Sequence, residues 1–388
     1  MIKPYIDHIY KTFFKEEYLL QILCEAQIHP KQLNKKMSSQ LLQQKHIDWE
    51  KMLDLIKANN LQTIILDYFQ NQRLVKFLPS GIQSRLVKLA FYSHIYSLKH
   101  REQSRIILKK LINNKVEFVM MKTYALKERI FKNREIKADL DVDLLIPVHE
   151  FKEVSGLLFD LGYLFFPDMK TKNGVASIAN LNFYCPSSQE IFKKGHHAVE
   201  IHTTITDTPR YSQIPVISEA TNRQMTQEVY NGTDTISYQN IKVKVFKPSQ
   251  LLLTHFLHSL VQHNLQRATS YYECAKMLQV YKEELEWGYI MKFVNIRKLK
   301  SYFMWFLFLL NDLYPNLLPN QLESELVNYE GSLKTQHWAL YPYMKYKIFH
   351  QTNFAESKRR ERQKEWCWAI IDQHLLNLVK HKIKKHLV

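Results

Sequence analysis

Glycine and proline are scarce in this chain, 8 and 12 among 388 residues. Collagen-like and low-complexity architectures depend on those two residues, so their scarcity excludes both and favours a compact, helix-rich protein. Cysteine is nearly absent as well: Cys24, Cys185, Cys274 and Cys367 stand far apart, in no CxxC or Cys/His spacing. That pattern excludes a metal-binding cysteine motif and fits reduced thiols in a cytoplasmic protein. No apolar run is long. The longest, Tyr302 to Leu310, falls well short of the ~20 residues of a spanning helix and reads as a buried helical segment. The opening residues, Met1 to His8, lack the apolar stretch and cleavage site of a secretory signal. The expectation is a cytoplasmic protein with no membrane partner.

Acidic side chains are also in deficit. Lys+Arg number 54 against 37 Asp+Glu, giving a formal net charge of +17 and a sequence pI near 9.4. Such a balance attracts polyanions and makes RNA a plausible partner, although lysines spread over solvated helix faces give the same sum. The run Lys358-Arg359-Arg360 with Arg362 and Lys364, and the tail Lys380, Lys382, Lys384 and Lys385, read as solvated faces rather than a phosphate track. Oligomeric state is left open.

What is abundant is apolar periodicity, with 46% of the residues hydrophobic. Helical patterns cover Glu17 to Gln27, Trp49 to Ala58, Leu61 to Gln72 and a long stretch from Ile82 to Asn113. On that last helix Ile82, Leu86, Leu89, Tyr96, Ile107 and Leu111 share a stripe, which Ser93, His100 and Gln103 interrupt. The period then changes. Val116 to Met121 reads as a strand, followed by Lys122-Thr123 and a helix through Ile130. Asp139 to Ile146 is a second strand, His149 to Leu161 a helix stopping at Gly162, and Tyr163 to Phe166, Asn180 to Cys185 and Ala198 to Thr204 further strands. Residues Ile205 to Gln239 read as a loop-rich insertion. From Ser249 onward helices return, over Leu251 to His263, Ala268 to Glu284, Trp287 to Leu310 and Glu365 to Lys385. The fold class is therefore α+β: a helical N-terminal region (1–112), a small mixed-sheet core (113–247) and a helical C-terminal region (248–388).

The chemistry concentrates in Ala138-Asp139-Leu140-Asp141-Val142-Asp143-Leu144-Leu145-Ile146. Strand side chains alternate, so three carboxylates project from one face and the apolar residues from the other. Like charges at this spacing repel, and a divalent cation held by hard oxygen ligands offsets that repulsion. Taking Asp141 and Asp143 as the pair leaves Leu144-Leu145-Ile146 as the buried continuation and makes Asp139 a peripheral carboxylate. A solvated strand edge explains an acidic strand taken alone. Lys122, closing a strand where a helix begins, and Val199-Glu200-Ile201-His202, with Glu200 and His202 on one face, argue for a site instead. For His202 a positioning or substrate-contacting role and a purely structural hydrogen bond stand level.

These segments resemble the uncharacterised nucleotidyltransferases of the polymerase β-like superfamily. Their pattern runs strand, Lys-Gly, helix, an Asp-hydrophobic-Asp strand, a helix ending at Gly-Tyr, and an acidic-hydrophobic-His strand. Here the matching residues are Val119 to Thr123, Asp141 to Ile146, Leu161-Gly162-Tyr163 and Val199 to His202. The helix bearing His258 and His263 resembles the family's helix after the catalytic module. Two positions depart from the pattern: Thr123 replaces the glycine after the lysine, and Lys137 replaces the arginine often found four residues before the Asp pair. The resemblance implies transfer of an NMP from an NTP donor with release of pyrophosphate, dependent on Mg²⁺ (or Mn²⁺). It implies Asp141, Asp143 and Glu200 as metal ligands and catalytic residues, Lys122, Thr123 and Lys137 on the nucleotide, and Asp139, His202, His258 and His263 as candidate substrate contacts. The acceptor stays open among an RNA end, a protein and a small molecule. The alternative is a catalytically silent nucleotide-sensing or RNA-binding regulator.

Overall fold

The computed structural model describes residues 15–29, 47–122, 129–131, 141–166, 189–206, 217–261 and 267–327, with Leu42, Leu126, Leu265 as single positions. Thr123, Lys137, Asp139 and His263 lie outside them, as do the strand expected at 180–185, the helix expected at 365–385 and both C-terminal basic runs. Along the chain run helices α1 (Lys15–Ile28), α2 (Trp49–Ala58), α3 (Gln62–Asn71) and α4 (Ser80–Asn113), then strands β1 (Val119–Met120) and β2 (Asp141–Leu145). Next come α5 (Phe151–Asp160), β3 (Leu164–Phe166), β4 (Gln189–Lys194), β5 (His197–His202) and α6 (Glu219–Tyr230). The series closes with β6 (Thr233–Tyr238), β7 (Ile241–Phe246), α7 (Pro248–Val261), α8 (Ala268–Val280), α9 (Trp287–Ile296) and α10 (Lys300–Leu313). The α+β reading holds. Among the described residues, no helix is long and apolar enough to cross a membrane.

The chain divides into two compact units. The first takes Met1–Ala90, His263–Glu283 and Met291–Val388, so helices from both ends of the sequence share one core. Local rules shape its elements: α2 starts at Asp48, whose carboxylate accepts from the Lys51 N–H at 3.0 Å, and buries Met52, Leu53, Leu55 and Ile56 on one stripe. Side chains of α8 then complete α1. Lys276 donates to the Gln27 carbonyl and Gln279 to that of Ile28, at 2.9 and 2.8 Å, satisfying carbonyls that the end of α1 leaves without helical partners.

The second unit, Phe91–Gln262 with Glu284–Ile290, holds a seven-stranded sheet in the order β3-β4-β5-β2-β1-β7-β6. β2 runs parallel to β5 and antiparallel to β1, while β1 is parallel to β7; the outer pairs β3-β4, β4-β5 and β6-β7 are antiparallel. One face is sealed by aromatics. The Phe165 and Phe192 rings meet at a tilt with 4.9 Å between their centres, and Phe151 and Phe159 of α5 close over Phe192 at 6.3 and 5.9 Å. Side chains of opposite parity, including Asp143 and Glu200, therefore emerge on the other face.

Three sequence expectations change here. The segment expected as a loop-rich insertion contains α6 and β6. Only Asn222, Met225 and Val229 of α6 are buried, and Tyr238 is the one buried residue of β6, so neither element carries a strong apolar period. β4 has no counterpart among the strands that the sequence predicts. On α4 the polar residues at 93 and 100 do not interrupt the buried stripe. Ser93, Ser97, His100 and Ser104 are themselves buried, and they continue Ile82, Leu86 and Ala90 at helical spacing toward Ile107 and Leu111. The His100 ring meets that of His197 edge-on at 4.3 Å.

Candidate active site

β1 ends beside β2, where the Met121 N–H donates to the Asp143 carbonyl at 3.0 Å. At the next residue the backbone turns into left-handed space, Lys122 having φ 51°. A side chain with a Cβ resists that conformation at a cost of about 1–2 kcal/mol, and such strain gathers at functional sites. The turn brings the Lys122 ammonium back over β2, where it hydrogen-bonds Asp143 Oδ1 and stands 3.7 Å from Glu200 Oε2.

Pairing across β2 and β5 sets the rest. Asp143 lies opposite Glu200 in the parallel register, and His202 follows Glu200 on the same face. His202 Nε2 lies 3.0 Å from Asp143 Oδ1 and 3.7 Å from Glu200 Oε2. Asp143 and His202 are buried, whereas Lys122 and Glu200 keep 12% and 15% of their side-chain exposure, so the cluster opens toward solvent at those two. From β4, Gln189 donates its amide N–H to Glu200 Oε2.

The charges hold one another in ionised form. Burial presses the Lys122 pKa down, but the charges of Asp143, Glu200 and Asp141 outweigh it and raise the pKa above the ordinary lysine value. Burial likewise raises Asp143, yet the Lys122 charge and the His202 hydrogen bond carry its carboxyl well below the usual range. For His202, burial and Lys122 act downward; hydrogen bonding to Asp143 and Glu200, together with the Asp143 charge, prevails and pushes the pKa up to about 9. The Asp143 carboxylate thus faces one ammonium and one imidazolium, with the Glu200 and Asp141 side chains beside it.

Asp143, Glu200 and His202 place one ligand atom each within 4.8 Å of one another. The two carboxylates fit a divalent cation, since carboxylate oxygens suit Mg²⁺ or Mn²⁺ and a cationic ammonium already nests against both; His202, protonated, stands beside them as a hydrogen-bond donor. Asp141 opens β2 on the same face, half-buried, outside that close group but near enough for its charge to act on Lys122. Lys122, Asp143, Glu200 and His202, expected from sequence, are thus brought together. His258 sits half-buried on α7 and is not part of the group. Gln189 escaped the sequence reading because β4 did. A hairpin signal was nonetheless present: Ile191-Phe192-Lys193-Lys194 precedes Gly195, whose φ of 59° serves the tight β4-β5 turn.

Comparison with curated proteins and with solved structures finds no match to this chain. A family model described as uncharacterised nucleotidyltransferase matches residues 45–315, a span that includes all seven strands and every residue of the Lys122, Asp143, Glu200 and His202 cluster. On the strength of that match, which extends over well more than half of its length, the chain belongs to the uncharacterised nucleotidyltransferase family.

Proposed function

We propose that the protein is a metal-dependent nucleotidyltransferase that moves an NMP from an NTP to an acceptor hydroxyl. The acceptor oxygen bonds to the α-phosphorus, the α–β phosphoanhydride bond breaks, pyrophosphate leaves, and the hydroxyl proton passes to solvent or a carboxylate. The observation that carries this reading is the pairing of Asp143 with Glu200 on adjacent parallel strands, with Lys122 reaching both. Asp143 and Glu200, with Asp141 beside them, would hold the metal. A divalent cation there supplies neutralisation of phosphate charge and a lowered pKa for the acceptor hydroxyl.

Each protein group then has one task. Lys122 lies on the β1 side of Asp143, where its ammonium can bind the donor's phosphate oxygens once it leaves the carboxylates. His202 fixes the orientation of Asp143, and Gln189 that of Glu200, as outer hydrogen-bond partners do for metal-binding carboxylates. Glu200, on the side of Asp143 toward β4, would face the acceptor. In-line placement of donor and acceptor accounts for most of the remaining acceleration.

The test offers each α-³²P-labelled NTP to total cell extract with Mg²⁺ or Mn²⁺. Label retained on a macromolecule or metabolite, dependent on the protein and on metal, supports transfer. NTP binding by calorimetry with no label transferred to any extract component would favour a silent nucleotide sensor.

A further inference from the structure

The sheet registers extend one row of side chains outward from the site. Asp143 of β2 faces Glu200 of β5, Glu200 faces Ile191 of β4, and Ile191 faces Phe166 of β3. Directly paired residues project from the same face, so the Phe166 ring shares the site's face two strand spacings, about 10 Å, from Glu200. The adjacent row runs Asp141, Ala198, Lys193, Leu164. Two contacts confirm this parity: Gln189 reaches Glu200, and the Lys193 ammonium lies over the Phe166 ring at 5.5 Å from its centre.

This end of the face differs from the opposite, sealed one. Leu164 is 40% exposed, Phe166 is half-buried and Lys193 is exposed, whereas Phe165 and Phe192 behind them are fully buried. A flat ring left partly in water beside an exposed ammonium is a poor packing solution but a suitable support for a planar base with a phosphate attached. Its position decides which base. The strand order puts Lys122 on the β1 side of the carboxylates and Phe166 on the β4-β3 side, so the platform lies across Glu200 from the donor's phosphates.

We infer that Phe166, with the exposed Leu164 beside it, is the stacking platform for the terminal base of a single-stranded RNA acceptor, and that Lys193 neutralises the phosphate attached to that nucleotide. The inference rests on the proposed nucleotidyl transfer. A nucleic-acid end is favoured over a peptide because an aromatic face and a lysine recur together where single strands bind, and the chain's net charge of +17 draws a polyanion to it. Lys193 has two places to go, over the ring without ligand and onto the phosphate with it.

The experiment measures fluorescence anisotropy of a fluorescein-labelled, mixed-sequence oligoribonucleotide with a free 3′ end, without NTP, for the full chain and its variants. Phe166→Ala is expected to weaken binding about ten-fold or more and Phe166→Trp to restore it, as stacking requires. Lys193→Ala should lower affinity and reduce the slope of log K against log salt by about one. Circular dichroism checks that each variant is folded. Equal binding by wild type and Phe166→Ala overturns the platform, as does failure of the folded Phe166→Trp to restore it. In the transfer assay, Phe166→Ala should raise KM for the oligonucleotide and leave KM for the NTP in place; a rise for the NTP alone assigns the ring to the donor and overturns the inference. Label found on protein rather than RNA overturns it as well. Phe166-dependent RNA binding without label transfer supports the platform and instead refutes nucleotidyl transfer.

Discussion

Asp143 and Glu200 face each other across adjacent parallel strands, and the Lys122 ammonium is shared between them, hydrogen-bonded to the first and 3.7 Å from the second. Under the proposed function that arrangement makes Lys122 both a ligand for the donor's phosphates and a competitor for the metal.

The competition is measurable. Lys122→Met removes a unit positive charge that hydrogen-bonds Asp143 and stands 3.7 Å from Glu200 Oε2, and unit charges about 4 Å apart interact by roughly 4 kcal/mol at an effective dielectric of 20. Mn²⁺ titrated calorimetrically into Lys122→Met should bind about ten-fold tighter or more than into wild type, while nucleotide transfer falls. Weaker Mn²⁺ binding would show that the lysine is not occupying the cation's place. In EDTA the same variant should melt lower than wild type, because the buried Asp143 and the half-buried Glu200 lose their counter-charge.

His202 gives the metal-free protein a pH dependence of definite sign. Its folded pKa, about 9, lies above the ordinary value of 6.5. The stabilisation it contributes is therefore complete below pH 6.5 and lost as pH rises through about 9, with an upper bound of roughly 3 kcal/mol. Thermal melts in EDTA between pH 6 and 10 should show wild type losing stability over that window more steeply than His202→Gln. Parallel curves would contradict the proposed charged pair with Asp143.

Gln189 donates a hydrogen bond to Glu200 Oε2, so its effect should appear in metal affinity and rate rather than in folding. Gln189→Ala should weaken Mn²⁺ binding by about 10- to 100-fold with an unchanged circular dichroism spectrum. Gln189→Glu, which sets a like charge beside Glu200, should lose more. Wild-type affinity in Gln189→Ala would reduce the contact to an incidental one.

Much of the site could be read from the sequence because it rests on local rules. Alternation in Asp141-Val142-Asp143 and in Val199 to His202 fixes which residues share a face, and Lys122 stands at a change of period. The role of His202 could not be read in the same way. It depends on β2 and β5 being neighbours in a particular register, and a shift of one residue would turn it away from Asp143. Gln189 needed β4, a strand whose apolar pair is short and ends in two lysines. The same limit applies to the fold: α2 announces itself by its cap and stripe, whereas the docking of α8 on the end of α1 joins residues some 250 positions apart and leaves no periodic trace.

The buried polar stripe of α4 supplies a test of packing. Ser97 is 1% exposed in the middle of it. Ser97→Leu, which strengthens the apolar period on paper, should overfill that contact and cost about 1–3 kcal/mol in urea unfolding. Stabilisation instead would mean that the stripe has room.

The central claim is metal-dependent transfer at the Asp143 cluster, and the most direct measurement compares wild type with Asp143→Asn. Each is given α-³²P-NTP, Mn²⁺ and the acceptor fraction that wild type labels, and circular dichroism confirms the fold of the variant. Asn keeps the shape of the side chain and removes its charge, so the account predicts label transfer by wild type and a loss of at least about a thousand-fold in the folded variant. Transfer at a comparable rate by Asp143→Asn would contradict it.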